Sequence, residues 1–300
     1  MHVFVTGATG YIGHAVVGEL AAAGHAVTGL VRSEEKGAAL RALGARAVVG
    51  DIKEPDSYRS AAAEHEAIVH TAFEMSGAAV AADRTAVETL IAAAGAGKAQ
   101  SLVYTSGVWV LGETGDSPAF ENSPTDRAAA LVAWRPAHEK LVLEAGTHRL
   151  AAAVIRPGLV YGGRGGLIGL YFQAAEKEGA ASHVGDGRNR IPPIHVEDLA
   201  RFYRAVVERH ARGIFHAVDG TAPTLADVAS AASAAAGKQG ATRSVPLAEA
   251  RKSLGPVADC LVLDQVVESR RGVELGWRPT HPNFLGEAPQ AYTEWKAAQG

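Results

Sequence analysis

The run VFVTGATGYIGHAVVGEL, residues 3–20, constrains the fold more than any other part of the chain. A β-branched strand feeds into Gly7, Gly10 and Gly13, and an apolar helical pattern follows them. Glycines at this spacing allow a tight turn and let the backbone approach a pyrophosphate, while the helix N-terminus behind them favours negative charge. A G-x-x-G-x-x-G match means little by itself. Placed after an N-terminal strand and at the head of a helix, it reads as a dinucleotide-binding loop.

The rest of the first half supports that setting. After the strand at 2–6 and a helix over 11–23 ending at Gly24, HAVTGLV (25–31) reads as a second strand and 34–43 as a second helix. RAVVG, AIVHT and SLVYTS read as strands three to five, with helices near 56–64 and 79–95 between them. A long helical region over 126–146 leads into AAAVIRP, a sixth strand. Apolar strands without clean alternation, separated by helices, indicate an α/β fold with a doubly wound parallel sheet covered on both faces. After residue 157 the pattern changes to glycine-rich loops, a short strand (GIFHAV) and helices over 196–209 and 225–237. The expected organisation is a Rossmann-like domain over 1–160 and a smaller, mainly substrate-binding lobe over 161–300, with some late elements returning to the main sheet.

The end of the second strand bears on which dinucleotide binds. NAD-binding folds commonly place an acid there against the ribose hydroxyls, whereas an arginine suits a 2′-phosphate. Here the strand closes with Val31, Arg32 and Ser33. A guanidinium matches phosphate oxygens in a bidentate fork, so NADP(H) is expected in preference to NAD(H). Glu34 and Glu35 read as the first turn of the next helix, where the dipole favours acids.

These motifs together resemble the extended or atypical short-chain dehydrogenase/reductase family, the group that contains NAD-dependent epimerases and dehydratases. TGATGYIG is similar to that family's cofactor loop, which implies contacts from Gly7, Thr9, Gly10, Tyr11, Ile12 and Gly13. GDIKEP places Asp51, with Ile52, like the segment against adenine. VHTAF resembles the segment beneath the ribose and phosphates, which implies Thr71, Ala72 and Phe73. VIRPGLVYG is similar to the segment near the nicotinamide, which implies Pro157 and Val160. LVYTSGVWVLG resembles the strand that carries the family's active-site Ser or Thr, and IHVEDLA the helix start after the substrate lobe.

Two departures follow from the same resemblance. The family has a Tyr four residues before an active-site Lys and often a Glu four after it; Lys140 and Glu144 fit, but Pro136 stands in the Tyr slot. Counting back from Gly112 puts Gly107 at the usual Ser/Thr position, with Ser106 one residue early. The resemblance gives Lys140 the role of holding the nicotinamide ribose, a role that needs no tyrosine. Proton delivery needs another group. Ser106 is placed to orient a carbonyl. Tyr161 lies in the loop after strand six, a position usually structural in the family. His138 has a suitable intrinsic pKa, but two residues from Lys140 is about 200° around a helix. Trp134 and Arg135 are candidate pocket-lining residues. Pro136 also has a structural reading, as a first-turn proline in a helix that begins near Arg135.

Other features narrow the function classes. Basic and acidic residues number 29 and 32, for a net charge of −3 with no long basic run, so no nucleic-acid partner is expected. No apolar stretch approaches the ~20 residues of a membrane span. One cysteine, Cys260, suits a reducing compartment, and HVFVTG starts directly after Met1, so a cytoplasmic location is expected. The 12 histidines lack ligand spacing, so no metal is expected; His70 reads as a strand-end residue near the cofactor and His195 as a cap at the helix from 196. GGRGG (162–166) reads as a flexible lid from which Arg164 meets an anionic substrate. No G-x-S-x-G elbow marks an acyl hydrolase. Three readings result: an NADP(H)-dependent reductase of a small carbonyl or related substrate, with a non-standard proton donor; a non-catalytic NADP(H)-binding sensor; and a sugar-nucleotide epimerase or dehydratase, disfavoured by LVRS and Pro136. The expected partner is a small-molecule substrate, and a homodimer through the helices near 79–95 and 126–146 resembles the family's habit.

Overall fold

Short β-branched runs set between alanine-rich helices fold here into alternating strands and helices. The structure, a computed structural model, describes residues 1–299. In chain order the first half builds β1 (His2–Thr6), α1 (Tyr11–Ala22), β2 (Ala26–Val31), α2 (Glu34–Arg41), β3 (Arg46–Val49) and α3 (Arg59–Ala63). It continues with β4 (Ala67–His70), α4 (Ala79–Ala96), β5 (Ser101–Thr105), α5 (Arg135–Glu144) and β6 (Ala151–Pro157). Next come β7 (Leu159–Tyr161), α6 (Ile168–Glu178), β8 (Ala181–Val184), β9 (Pro193–His195), α7 (Val196–Glu208) and β10 (Gly213–Ala217). The last elements are α8 (Leu225–Ala235), β11 (Thr242–Val245), α9 (Leu247–Leu254), α10 (Val257–Cys260), α11 (Arg270–Glu274) and α12 (Phe284–Ala297).

Seven strands form one sheet in the order β10-β6-β5-β4-β1-β2-β3. β1 pairs in parallel with both β2 and β4, and β4, β5 and β6 continue in parallel. The chain thus winds from β1 out to β3 and restarts on the other side of β1 at β4. Strand order reverses between β1 and β4, the place where open α/β sheets form a ligand crevice beyond the strands' carboxyl ends. All four residues of β4 and all seven of β6 are buried, the expected state of inner strands covered on both faces.

The chain divides into two compact units. One comprises Met1–Ser106, Trp134–Ile155 and Leu199–Phe215; the other comprises Gly107–Ala133, Arg156–Asp198 and the residues from His216 onward. In the first, Phe4, Ile68, Leu102 and Val154 of the sheet pack with Val87 and Leu90 of α4. In the second, Tyr161, Phe172, Leu225, Phe284 and Trp295 form the core. A two-stranded parallel ribbon of β8 and β11 also belongs to this unit.

The helical region expected over 126–146 is shorter than its composition suggests. A 3-10 turn covers Ala130–Val132, and the α-helix begins only at Arg135. Pro136 is the cause: its missing N–H and fixed φ are tolerated in a first turn but not further in.

Candidate active site

The glycine loop folds as its composition demands. Gly7 has φ +67°, and a Cβ there would lie 2.5 Å from the Ala72 nitrogen, so only glycine fits the turn beside the end of β4. A Cβ on Gly13 would lie 2.2 Å from the Gly7 carbonyl oxygen and 2.6 Å from Thr71 Oγ1. Both glycines therefore press the loop against Thr71 and Ala72 at the β1/β4 reversal. Thr71 fastens the contact by donating from Oγ1 to the Thr6 carbonyl at 2.7 Å. Gly10 differs: it is exposed, and a Cβ there would meet only the Gly7 oxygen at 3.1 Å. It caps α1 without a side-chain hydrogen bond. The loop and the α1 N-terminus behind it lie at the carboxyl end of β1, where Thr9, Tyr11 and Ile12 are each half-buried.

At the end of β2, Val31 is buried and Arg32 is exposed, and Arg32 makes no ion pair among the described residues. Ser33 caps α2 by accepting from the Lys36 backbone N–H at 3.4 Å, and Glu34 and Glu35 occupy the first turn as expected. Beyond β3, Asp51 Oδ1 accepts from the Lys53 backbone N–H at 2.9 Å, and the Ile52 carbonyl accepts from Tyr58 OH at 3.3 Å. These bonds hold the Asp51–Ile52 turn in shape. Phe73, just past β4, is 44% exposed.

The catalytic candidates are distributed unevenly. Lys140 points outward: its side chain is 74% exposed, with Nζ 3.7 Å from Glu144. His138 lies on the buried side of α5, its Nδ1 2.6 Å from Asp83 Oδ2. Ser106 is buried past the end of β5, its N–H donating to the Ile155 carbonyl at 2.8 Å. Its Oγ is sealed from solvent and has no hydrogen-bond partner. In the second unit, Tyr161 is fully buried and donates from its hydroxyl to Glu287 at 3.3 Å. Burial, reinforced by the nearby Glu287 carboxylate, pushes this phenol far above its ordinary pKa. Pro157 is buried and Val160 half-buried.

A buried network that the sequence reading missed lies in the first unit. Asp83, on the inner face of α4, is 3% exposed and takes three hydrogen bonds. His138 Nδ1 and Tyr104 OH reach Oδ2 at 2.6 and 2.9 Å, and His70 Nε2 reaches Oδ1 at 3.3 Å. A carboxylate only accepts, so both ring nitrogens facing it carry the proton. His70 Nδ1 and the Thr6 hydroxyl share a hydrogen bond of 2.6 Å. Burial alone would raise the Asp83 pKa; the bonds from His138 and His70 outweigh it and hold the carboxyl well below the usual range. Tyr104 passes the network on, because Arg135 Nη1 donates to its hydroxyl at 3.3 Å and to the Thr105 carbonyl at 2.7 Å. The available sequence signal was an acid among the alanines and valine of an otherwise apolar helix face.

His195 behaves as its position suggested, accepting the Glu197 backbone N–H on Nδ1 at 3.2 Å at the start of α7. With Glu197 and His281 it forms a group whose candidate ligand atoms lie within 4.8 Å of one another. The nitrogens are already engaged: His195 Nε2 faces Glu294 at 3.3 Å, and His281 Nδ1 and Nε2 face Glu287 and Glu197 at 2.8 and 3.5 Å. The two rings stack at 3.8 Å. Arg164 is exposed in its glycine loop. No helix among the described residues is long and apolar enough to cross a membrane.

Known proteins share this arrangement. A sequence profile of the NAD dependent epimerase/dehydratase family matches residues 3–217. The chain is 32% identical to a 3-diazoavenalumate denitrifying reductase of a Streptomyces species, over 95% of this chain and 98% of that protein. It is 29% identical to a 2-alkyl-3-oxoalkanoate reductase of Shewanella oneidensis, over 66% of this chain and 55% of that one. Among solved structures, a human epimerase family protein crystallised with NADPH superposes with a TM-score of 0.81 at 23% identity, covering 98% of this chain and 99% of the other. A Thermus thermophilus UDP-glucose 4-epimerase in complex with NAD gives 0.84 at 21% identity, covering 99% and 100%. With its seven-stranded Rossmann-like sheet, the chain belongs to the NAD dependent epimerase/dehydratase family, of the extended short-chain dehydrogenase/reductase type, whose members are NAD(P)-dependent oxidoreductases and epimerases.

Proposed function

We propose that this protein is an NADP(H)-dependent reductase of a small carbonyl or related substrate. The observation that carries the reading is the glycine loop at the β1/β4 reversal. There Gly7 and Gly13 tolerate no side chain, Gly10 is exposed, and Arg32 makes no ion pair among the described residues at the end of β2. When bound, the dinucleotide supplies the hydride. The glycine loop receives its pyrophosphate, Asp51 and Ile52 lie toward the adenine, and Thr71, Ala72 and Phe73 lie beneath the ribose and phosphates. Arg32 takes the 2′-phosphate, which is the basis for preferring NADP(H). The Streptomyces and Shewanella relatives are both named as reductases, which supports reduction over epimerisation.

A second reading, a non-catalytic NADP(H) sensor, draws on the outward side chain of Lys140 and on Pro136 in the place of the family's Tyr. Consumption of NADPH against a panel of ketones, β-keto acids and aryl carbonyls separates the two. Turnover of any panel member, lost when Gly13 is enlarged, supports the reductase. Tight NADPH binding with no turnover anywhere on the panel favours the sensor.

A further inference from the structure

Arg135 is the most unusual charged side chain of the first unit. It is 8% exposed at the start of α5, yet it makes no ion pair with any acid among the described residues. Burying a guanidinium without a carboxylate is costly unless something else compensates it. One nitrogen is satisfied: Nη1 donates to the Thr105 carbonyl and the Tyr104 hydroxyl. Nε and Nη2 donate to nothing among the described residues and are not sealed from solvent. Two aromatic rings flank the group, Phe73 with its centroid 5.0 Å from Cζ and Trp134 at 4.7 Å.

The neighbourhood contains a second unmet polar group. The Thr105 oxygen that Arg135 holds belongs to the same planar peptide unit as the Ser106 Cα. Ser106 Oγ is buried and unpartnered. A buried hydroxyl without a protein partner is uncommon in a folded interior. Asp83 does not fill the gap, since His138, His70 and Tyr104 occupy its oxygens. Its hold on Tyr104 instead keeps that hydroxyl in place beneath Arg135. The carboxyl ends of β4 and β5 thus carry a half-satisfied cation flanked by two flat rings.

We propose that Arg135 anchors the substrate, and that the substrate is a planar conjugated or aryl carbonyl compound bearing a carboxylate or equivalent oxyanion. Nε and Nη2 bind the oxyanion, and Trp134 forms an apolar wall for the flat skeleton. This assignment rests on the reductase reading, but it is tested by binding, which does not require turnover.

The experiment titrates benzoylacetate, and separately neutral acetophenone, into the protein saturated with NADP⁺, using calorimetry. Charge-assisted hydrogen bonds predict that benzoylacetate binds at least about tenfold tighter than acetophenone. Arg135→Met should erase that preference while leaving NADP⁺ affinity within about twofold, a separation that generalised damage to the fold would not produce. Trp134→Leu should weaken both aryl probes together and keep the carboxylate preference. If Arg135→Met fails to fold, Arg135→Lys carries the test: it keeps the charge but loses the fork, so the preference falls for benzoylacetate alone. An unchanged preference in the folded variant, or a loss of NADP⁺ affinity as large as the loss of benzoylacetate, overturns the assignment. Failure to consume NADPH on any carbonyl, with this binding pattern intact, removes the reductase reading and leaves the anchor standing.

Discussion

Asp83 and Asp219 are both buried acids, yet their surroundings move them in opposite directions. Asp83 is held below the usual range by the bonds from His138 and His70, which outweigh its burial, so the unfolded chain takes up a proton before the folded one does. Its contribution to stability is complete above the unfolded pKa and is lost as pH falls through the folded value. Asp83→Asn should cost about 2 kcal/mol or more at neutral pH. It should also flatten the fall in melting temperature from about pH 5 downward, as followed by calorimetry. Asp219 in the second unit has the opposite sign. Burial pushes it up to about 6, against the two hydrogen bonds from Thr221, and its Oδ2 has no partner. The folded state keeps a proton that the unfolded chain has released, so stability declines as pH rises from about 4 toward 6. Asp219→Asn should therefore raise the melting temperature by a few degrees above pH 7. Its curve should converge with that of the wild type below about pH 4. A variant less stable than wild type at pH 8 would contradict this account of Asp219. Lys140, 74% exposed and paired among the described residues with Glu144, offers a contrast. Lys140→Met should change NADPH affinity by less than about twofold, since an exposed pair of this kind is worth at most about 1 kcal/mol; a tenfold loss would return the ribose-holding role to this lysine.

At the scale of single elements, the glycine loop and α5 show what a sequence discloses and what it hides. Gly7, Gly10 and Gly13 were legible because the turn and the following helix are local: Gly7 has a positive φ, and Gly10 and Gly13 both face the Gly7 carbonyl oxygen. Gly13→Ala makes the point testable. Its new methyl would need to displace the Gly7 carbonyl from 2.2 Å, so it should destabilise by roughly 1–3 kcal/mol and abolish tight NADPH binding. Wild-type affinity in that variant would mean the loop is not the cofactor's seat. The orientation of α5 was not legible. Its buried positions are Arg135, His138, Glu139 and Val142, an i, i+3, i+4, i+7 face made mostly of charged and polar residues. Hydrophobic periodicity cannot find such a face, because the compensation comes from Asp83, Tyr104 and Thr105, far away in sequence. Counting from a family motif selected Lys140; packing put its neighbours inside. Pro136→Ala should change stability by less than about 1 kcal/mol, because position two of the helix has no intrahelical N–H bond to lose.

For the whole molecule, the sheet was readable from alternation alone, since inner parallel strands such as AIVH and AAAVIRP carry no polar face. The reversal of strand order at β1 and β4 was not written in any one segment. It appears only once β4 pairs with β1 and not with β3. That reversal brings Gly7 against Ala72, so the candidate site is a product of topology as much as of the glycine motif. The central claim is that a phosphorylated dinucleotide binds at this loop with its 2′-phosphate on Arg32. The most direct measurement is calorimetric titration of NADPH and NADH into the wild-type protein and Arg32→Ala. The account predicts that NADPH binds at least about tenfold tighter than NADH, and that the alanine variant loses most of that preference while NADH affinity barely moves. Equal affinities in the wild type, or equal losses for both dinucleotides in the variant, would contradict it.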